Sequence, residues 1–289
     1  MPISVARTGN NLPNGNFNPQ IWAKKLNLKY YAQTFLPQIT NSDFEGEIKG
    51  QGASVLIRNR PTVAINDYTV NQDMQYQDIV DEKIELLIDK AKYFSFKIDD
   101  VDTAQQDIKL MNELTQDAGY QMKIAIDTVV LGSIYADATN ALASLTLDKT
   151  NIIDWIIDAE VKMEESNLPV ANRWLVIPPK AAGYIQKSDL KNASLTGDTT
   201  SVIRSNMTNG RLGEIGGITL YVSNNLSHAG TTYQCIAGHK SAVTFASQIV
   251  KVENLRLQTK FGDAIRGLNV FGFKTLIPSG LVSMPAVIA

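Results

Sequence analysis

Apolar residues recur at spacings of three and four from Val101 onward: Val101, Ala104, Ile108, Met111, Leu114, Ala118, Met122, Ala125 and Val129. That period places them on one stripe of an α-helix. No proline interrupts the chain from Ile98 to Thr139, so the pattern predicts a single helix over about 98–139. About forty residues at ~1.5 Å of rise each extend roughly 60 Å, more than a compact body of this size requires. Asp99, Asp100 and Asp102 stand at its start, where carboxylates cap free N–H groups and favour the positive helix end. Gly119 and Gly132 weaken the helix slightly and permit bending.

Before the helix the period changes to two. Lys92, Phe94, Phe96 and Ile98 alternate with Tyr93, Ser95 and Lys97, closing a strand-like stretch that begins near Glu82. An earlier strand is predicted at Ala53–Arg58, ended by Pro61. The hydrophilic residues between, about 59–81, form either a long loop or a two-stranded hairpin standing away from the body; a loop of that length inside a compact domain is uncommon.

Beyond Asn140 helices and strands alternate. Thr150–Asn167 reads as an amphipathic helix with Ile152, Trp155, Ile156, Ala159 and Met163 on one face. Arg173–Ile177 reads as a buried strand, and Pro178 and Pro179 open the next helix, where proline costs little. Leu190–Gly217 is loop-rich, with a short helix near Val202. Ile218–Val222 and Tyr233–Ala237 read as strands, His239–Ala246 as a short helix, and Val250–Thr259 and Ile265–Leu276 as closing strands. The order predicts an α+β chain in which an α/β body at 141–246 is inserted between two parts of a more elongated unit. Trp155 and Trp174 are its expected core anchors.

Composition narrows the function. The 289 residues carry a formal net charge of −2, which argues against binding nucleic acid through a broad basic face. Residues 1–42 contain no Asp or Glu but carry Arg7, Lys24, Lys25 and Lys29, with Asn10, Asn11, Asn14, Asn16 and Asn18 crowded early. That stretch reads either as a frayed terminus followed by a short helix, the simpler reading, or as an arm draped over a neighbouring subunit, with Ile21, Trp22, Leu26, Leu28, Tyr30 and Tyr31 as anchors. The single cysteine, Cys235, excludes an intrachain disulfide. The opening residues lack an apolar run, which predicts no secretory signal, and no stretch approaches the roughly 20 apolar residues of a membrane span.

Candidate chemistry is thin. Gly210, Gly213, Gly216 and Gly217 precede the strand at 218, whereas a dinucleotide fingerprint follows a strand and opens a helix; turn glycines are the better reading. His228, Cys235 and His239 offer metal-ligand types without a recognisable zinc spacing, so a structural cysteine with exposed histidines is preferred. A Cys–His catalytic pair requires the fold to bring them together. The Asp99, Asp100 and Asp102 group fits helix capping better than metal or acid–base work. Asn192 and Asn206 head chance glycosylation triplets. No catalytic, cofactor-binding or metal residue is assigned.

The segments YFSFKIDDVDTAQ (93–105), RWLVIPPKAAGYI (173–185), GEIGGITLYVSNNL (213–226), AGHKSAVTFASQIVKVE (237–253) and FGDAIRGLNVFGFKTLIPSGLV (261–282), in that order, resemble the major capsid protein of tailed bacteriophages, the Hong Kong 97-like fold. The resemblance covers residues 20–280. It implies an N-terminal arm (1–42), a peripheral domain whose first part (43–140) holds an extended loop (about 59–81) and a spine helix (about 98–139), an inserted axial domain (141–246), and a peripheral return with the C-terminus (247–289). It further implies a non-enzymatic subunit, without cofactors, that self-assembles as pentamers and hexamers into an icosahedral or elongated virion shell. Portal, scaffolding and decoration proteins are its implied partners. The packaged double-stranded DNA is held without sequence-specific binding, and no membrane is involved. Synthesis in the host bacterial cytoplasm is expected. Lys49, near the start of the loop, is a candidate for the covalent crosslink some members form, against the simpler reading of a solvated lysine. An encapsulin-like nanocompartment shell and a soluble α/β enzyme or binding domain remain as alternatives.

Overall fold

The computed structural model describes residues 31–44, 54–58, 61, 63–67, 70, 73, 76–78, 83–99, 110–188, 211–259 and 261–288. In chain order its elements are α1 (Leu36–Ile39), β1 (Ser54–Arg58), β2 (Lys83–Leu87), β3 (Lys90–Asp99), α2 (Leu110–Asp137), β4 (Asn140–Ala141), β5 (Leu145–Thr146), α3 (Ile152–Glu165), β6 (Arg173–Ile177), α4 (Pro179–Lys187), β7 (Arg211–Ile215), β8 (Ile218–Val222), β9 (His228–Ala229), β10 (Thr232–His239), β11 (Val243–Arg256), β12 (Gly262–Thr275) and β13 (Leu281–Val287).

Among the described residues these strands make three sheets. The largest has the order β4-β13-β10-β6-β8-β7, with β5 added on β13 and β9 on β10. Its central strand β6 is buried along its whole length, as its unbroken apolar run after Arg173 requires. The face of α3 that carries Ile152, Trp155, Ile156, Ala159 and Met163 is buried, as the period predicts. Trp155 and Trp174 are both enclosed. The second sheet, β11-β12-β3, is a long antiparallel ribbon. The third is the antiparallel β1–β2 pair, in register from Ser54↔Leu87 to Arg58↔Lys83.

The long helix α2 joins the two larger sheets. Ile126, Val130, Leu131 and Ile134 are buried in one core that also takes Trp174 and Ile236 from the large sheet and Val243 and Phe271 from the ribbon. The apolar stripe is therefore displaced by one residue from its predicted line: Ile126 and Val130 are buried, while Ala125 and Val129 are only half-buried. Toward the start of α2, Leu114 and Ala118 are also half-buried. The helix end is fixed to the ribbon, where the Thr275 hydroxyl donates to Asp137 Oδ2 at 2.8 Å.

Several expectations need correction. Ile98 and Asp99 are not helical but end β3, opposite Asp263 and Gly262, because the two-residue alternation continues and β12 supplies a pairing partner. Asp99 is thus a strand residue and not the helix cap; Asp100 and Asp102 lie outside the described residues. Val243–Ala246 is strand, not helix: only Lys240–Ala242 makes a 3₁₀ turn, and the β-branched Val243 and Thr244 then pair with Thr275 and Lys274. Arg211–Ile215, read as loop, is strand β7 against β8. The C-terminal residues do not stay with the ribbon. Strand β13 enters the large sheet between β4 and β10, pairing from Thr232↔Val287 to Gly238↔Leu281. The short helix proposed near Val202 lies outside the described residues.

Candidate assembly surfaces

Three features of the surface carry exposed apolar or charged groups in positions the core does not use. The first is the β1–β2 hairpin. Its root is held by Ile57 and Leu86, which pack with Ala246 and the half-buried Phe44, Val55 and Leu276. Gly272 lets it approach the ribbon: a Cβ there would overlap the Leu87 carbonyl and come within 2.9 Å of Ile88 Cα. Beyond the root, Ile65 and Tyr76 are 92% and 93% exposed, and Val70 is also exposed. The backbone N–H of Ala64 donates to Gln77 Oε1 at 2.9 Å across this excursion.

The second is the outward face of the ribbon. Tyr93 stands opposite Leu268, which stands opposite Lys251, so the three side chains share one row. The next row is Ser95, Arg266 and Glu253. Arg266 Nε donates to Glu253 Oε2 at 2.8 Å, and Lys251 pairs with the same carboxylate. Lys251 first and Arg266 second hold the Glu253 carboxyl below its usual range. Tyr93 and Leu268 remain exposed within this charged setting. On the opposite face Gly267 leaves room for the Phe94 ring, which stacks on Phe96.

The third is a strap, residues 31–41, laid along α2. Tyr31 stacks on Tyr120 with centroids 5.0 Å apart and donates a hydrogen bond to Asp117. That bond, above all, pushes the Tyr31 phenol up to about 12. Phe35, Leu36 and Ile39 are buried in the main core. Asn225 Nδ2 donates to Asp127 Oδ2 on α2 at 2.8 Å and lies 3.2 Å from the Gln33 carbonyl. Farther on, Asn41 bridges Thr244 on β11, its N–H donating to the Val243 carbonyl at 2.8 Å. The last part of the predicted arm is therefore built into the body, and residues 1–30, with Arg7, Lys24, Lys25 and Lys29, lie outside the described residues.

The candidate chemical residues are not brought together. Cys235 is enclosed on β10, where burial pushes its thiol up. His228 is exposed and stacks on Tyr233, 5.1 Å between centroids. His239 Nδ1 is 2.7 Å from the Ser241 hydroxyl. Among the described residues no group of three His, Cys, Asp or Glu side chains is placed to hold a metal. Gly216 and Gly217, with φ of 56° and 71°, make the turn between β7 and β8, and Glu160 packs where a Gly216 side chain would stand. Gly213 sits at the register shift of β7; Gly210, Lys49, Asn192 and Asn206 lie outside the described residues. No helix among the described residues is long and apolar enough to cross a membrane.

Reading from sequence alone missed Asp127, Asn225 and Gly272. Asp127 left a signal, a lone acid within the apolar run from Ile124 to Val130. Gly272 and Asn225 left none, since each matters through a neighbour remote in the chain.

Comparison with known proteins gives this surface a context. A family described as phage capsid protein matches residues 83–283. No curated protein matches the chain by sequence. Among solved structures, one from Mycobacterium phage Che8 is 28% identical, superposes with a TM-score of 0.81, and aligns over 93% of this chain and 97% of its own. The capsid of the cyanophage P-SCSP1u is 16% identical, with a TM-score of 0.72 over 98% and 97%. The capsid of the myovirus XM1 is 14% identical, with a TM-score of 0.68 over 97% and 100%. The latter two bear on fold alone.

Proposed function

From the premise that this chain belongs to the phage capsid protein family, a structural and non-enzymatic major capsid protein of the virion with the Hong Kong 97-like fold, we propose that its copies associate as pentamers and hexamers and close an icosahedral or elongated shell around double-stranded DNA. The family match over residues 83–283 carries this reading and favours a phage shell over a nanocompartment or a soluble enzyme. The surface supports it physically. Exposed apolar residues sit on an excursion, Ile65, Val70 and Tyr76, and on the ribbon, Tyr93 and Leu268. Two such unlike patches on one chain suit head-to-tail contact between copies, and closed symmetry sums many modest contacts into a durable assembly.

The proposed division is an arm at 1–42, a peripheral domain at 43–140 continued from 247, and an axial domain at 141–246. The pairing of β13 with β10 supports assigning 281–287 to the axial sheet. Portal, scaffolding and decoration proteins are proposed partners, and the host bacterial cytoplasm the proposed place of synthesis. DNA would be enclosed without sequence reading, in keeping with the net charge of −2. Electron microscopy of the purified chain is the direct test. Closed shells are expected, and a chain that stays monomeric at every concentration and salt would overturn the reading. Nuclease-protected DNA in native particles is expected for the DNA-filled shell; enclosed protein cargo without DNA would replace it with a nanocompartment.

A further inference from the structure

Asp127 is fully enclosed, yet among the described residues it faces no cation. The elements packed on it are the strap and the turn after β8. The strap from Tyr31 to Asn41 carries no charged side chain, and Tyr31, its titratable group, is engaged with Asp117 farther up the helix. The turn from Ser223 to Ser227 is likewise uncharged, and the following His228 is exposed against Tyr233. On α2 itself the nearest cation, Lys123, lies exposed one turn earlier over the Tyr120 ring. The carboxylate is met by neutral groups. Asn225 Nδ2 reaches Oδ2, while the backbone N–H groups of Phe35 and Leu36 lie near enough to act on it electrostatically. Oδ1 has no hydrogen bond of good geometry. A buried ionised carboxylate without a cation is costly.

We propose that Asp127 is a proton-linked seat for the strap of residues 33–41, holding it more firmly when the carboxyl is neutral and releasing it more readily when ionised. Lifting the strap removes Phe35, Leu36 and the Gln33 contact of Asn225 together, and it returns the carboxyl to water. Docking therefore changes the proton affinity of Asp127, and by linkage the proton changes docking. Burial pushes this carboxyl above its ordinary range; the Asn225 amide and the Phe35 and Leu36 N–H groups oppose that shift without cancelling it. A raised carboxyl in the docked state means stability gained as pH falls through that raised value, complete below the ordinary one. The proposal rests on contacts within one chain and stands or falls independently of shell closure.

The test is hydrogen exchange at the Gln38, Ile39 and Thr40 amides, corrected for intrinsic rate and compared with β6, on the full chain held in one assembly state across pH. All three amides are bonded within the strap. Strap opening should fall relative to β6 as pH falls from neutral toward the ordinary carboxylate range, by at most about tenfold per pH unit because one proton is linked. Asp127→Asn should abolish the slope. Asn225→Ala, which removes a donor that favours the ionised form, should move the onset of tightening to higher pH. A flat wild-type profile, a slope of opposite sign, a slope retained in Asp127→Asn, or an unmoved onset in Asn225→Ala would each overturn the proposal. If Asp127→Asn does not fold, the wild-type and Asn225→Ala profiles still decide.

Discussion

Gly272 on β12 lies directly against the backbone of Leu87, so the hairpin root rests on the ribbon with no side chain between them. The close approach fixes where the β1–β2 pair sits on the ribbon. Gly272→Ala should destabilise the chain by about 1–3 kcal/mol, the usual range for overpacking a fitted contact. The loss should appear in a urea melt, together with fewer closed particles. Unchanged melting and assembly would show that the hairpin can shift at no cost.

Ile134 sits where α2, the large sheet and the ribbon share one core. Ile134→Ala should cost about 2–5 kcal/mol. Because the core is continuous, probes in the ribbon and in the large sheet should report the same transition midpoint. Separate transitions would refute the single core.

Exposed patches should behave in the opposite way. Tyr76→Asp and Tyr93→Asp alter side chains that are 93% and 79% exposed. Each should change stability by no more than about 0.5 kcal/mol while lowering the yield of closed shells. Sedimentation of wild-type and variant chains at equal concentration separates folding from assembly, and full particle yield in both variants would remove these patches from the contacts.

Cys235 should be inert in the folded chain, since it is enclosed and its thiol is pushed up by burial. Maleimide labelling at pH 8 should be slow in buffer and complete in denaturant. Rapid labelling in buffer would mean that β10 opens readily.

The ribbon's ion cluster supplies a pH test. Glu253 is held below the usual range by Lys251 and Arg266, so its contribution is present above the ordinary carboxylate value and lost as pH falls through the lowered one. Glu253→Gln should flatten that part of the acid limb of the melting curve. An identical acid limb in the variant would show the cluster to be energetically silent.

How much was legible follows from which interactions are local. The α3 face from Ile152 to Met163 and the strand Arg173–Ile177 were readable because period and run length reflect burial on one element. The end of β3 is not legible locally, because Ile98–Asp99 followed by Asp100 suits a strand end or a helix start equally, and only pairing with Asp263 and Gly262 decides. Val243–Ala246 is ambiguous for the same reason, as its partners Thr275 to Gly272 lie nearly thirty residues on. The assembly surfaces were half legible: the hydrophilic span at 59–81 announced an excursion, but not that Gly272 seats its root.

By itself the sequence determined the elements whose hydrophobic period is strong, the long helix among them, and the order of segments that resembles a capsid subunit. Local period and turn chemistry are written residue by residue, and a strong period reflects burial on one element. Tertiary structure decided that β13 crosses from the ribbon into the large sheet, that the strap is core, and that a lone acid on the long helix meets only neutral partners among the described residues. Those outcomes depend on which remote backbone and side chains arrive alongside, and contact at a distance of a hundred residues leaves no mark on the local pattern.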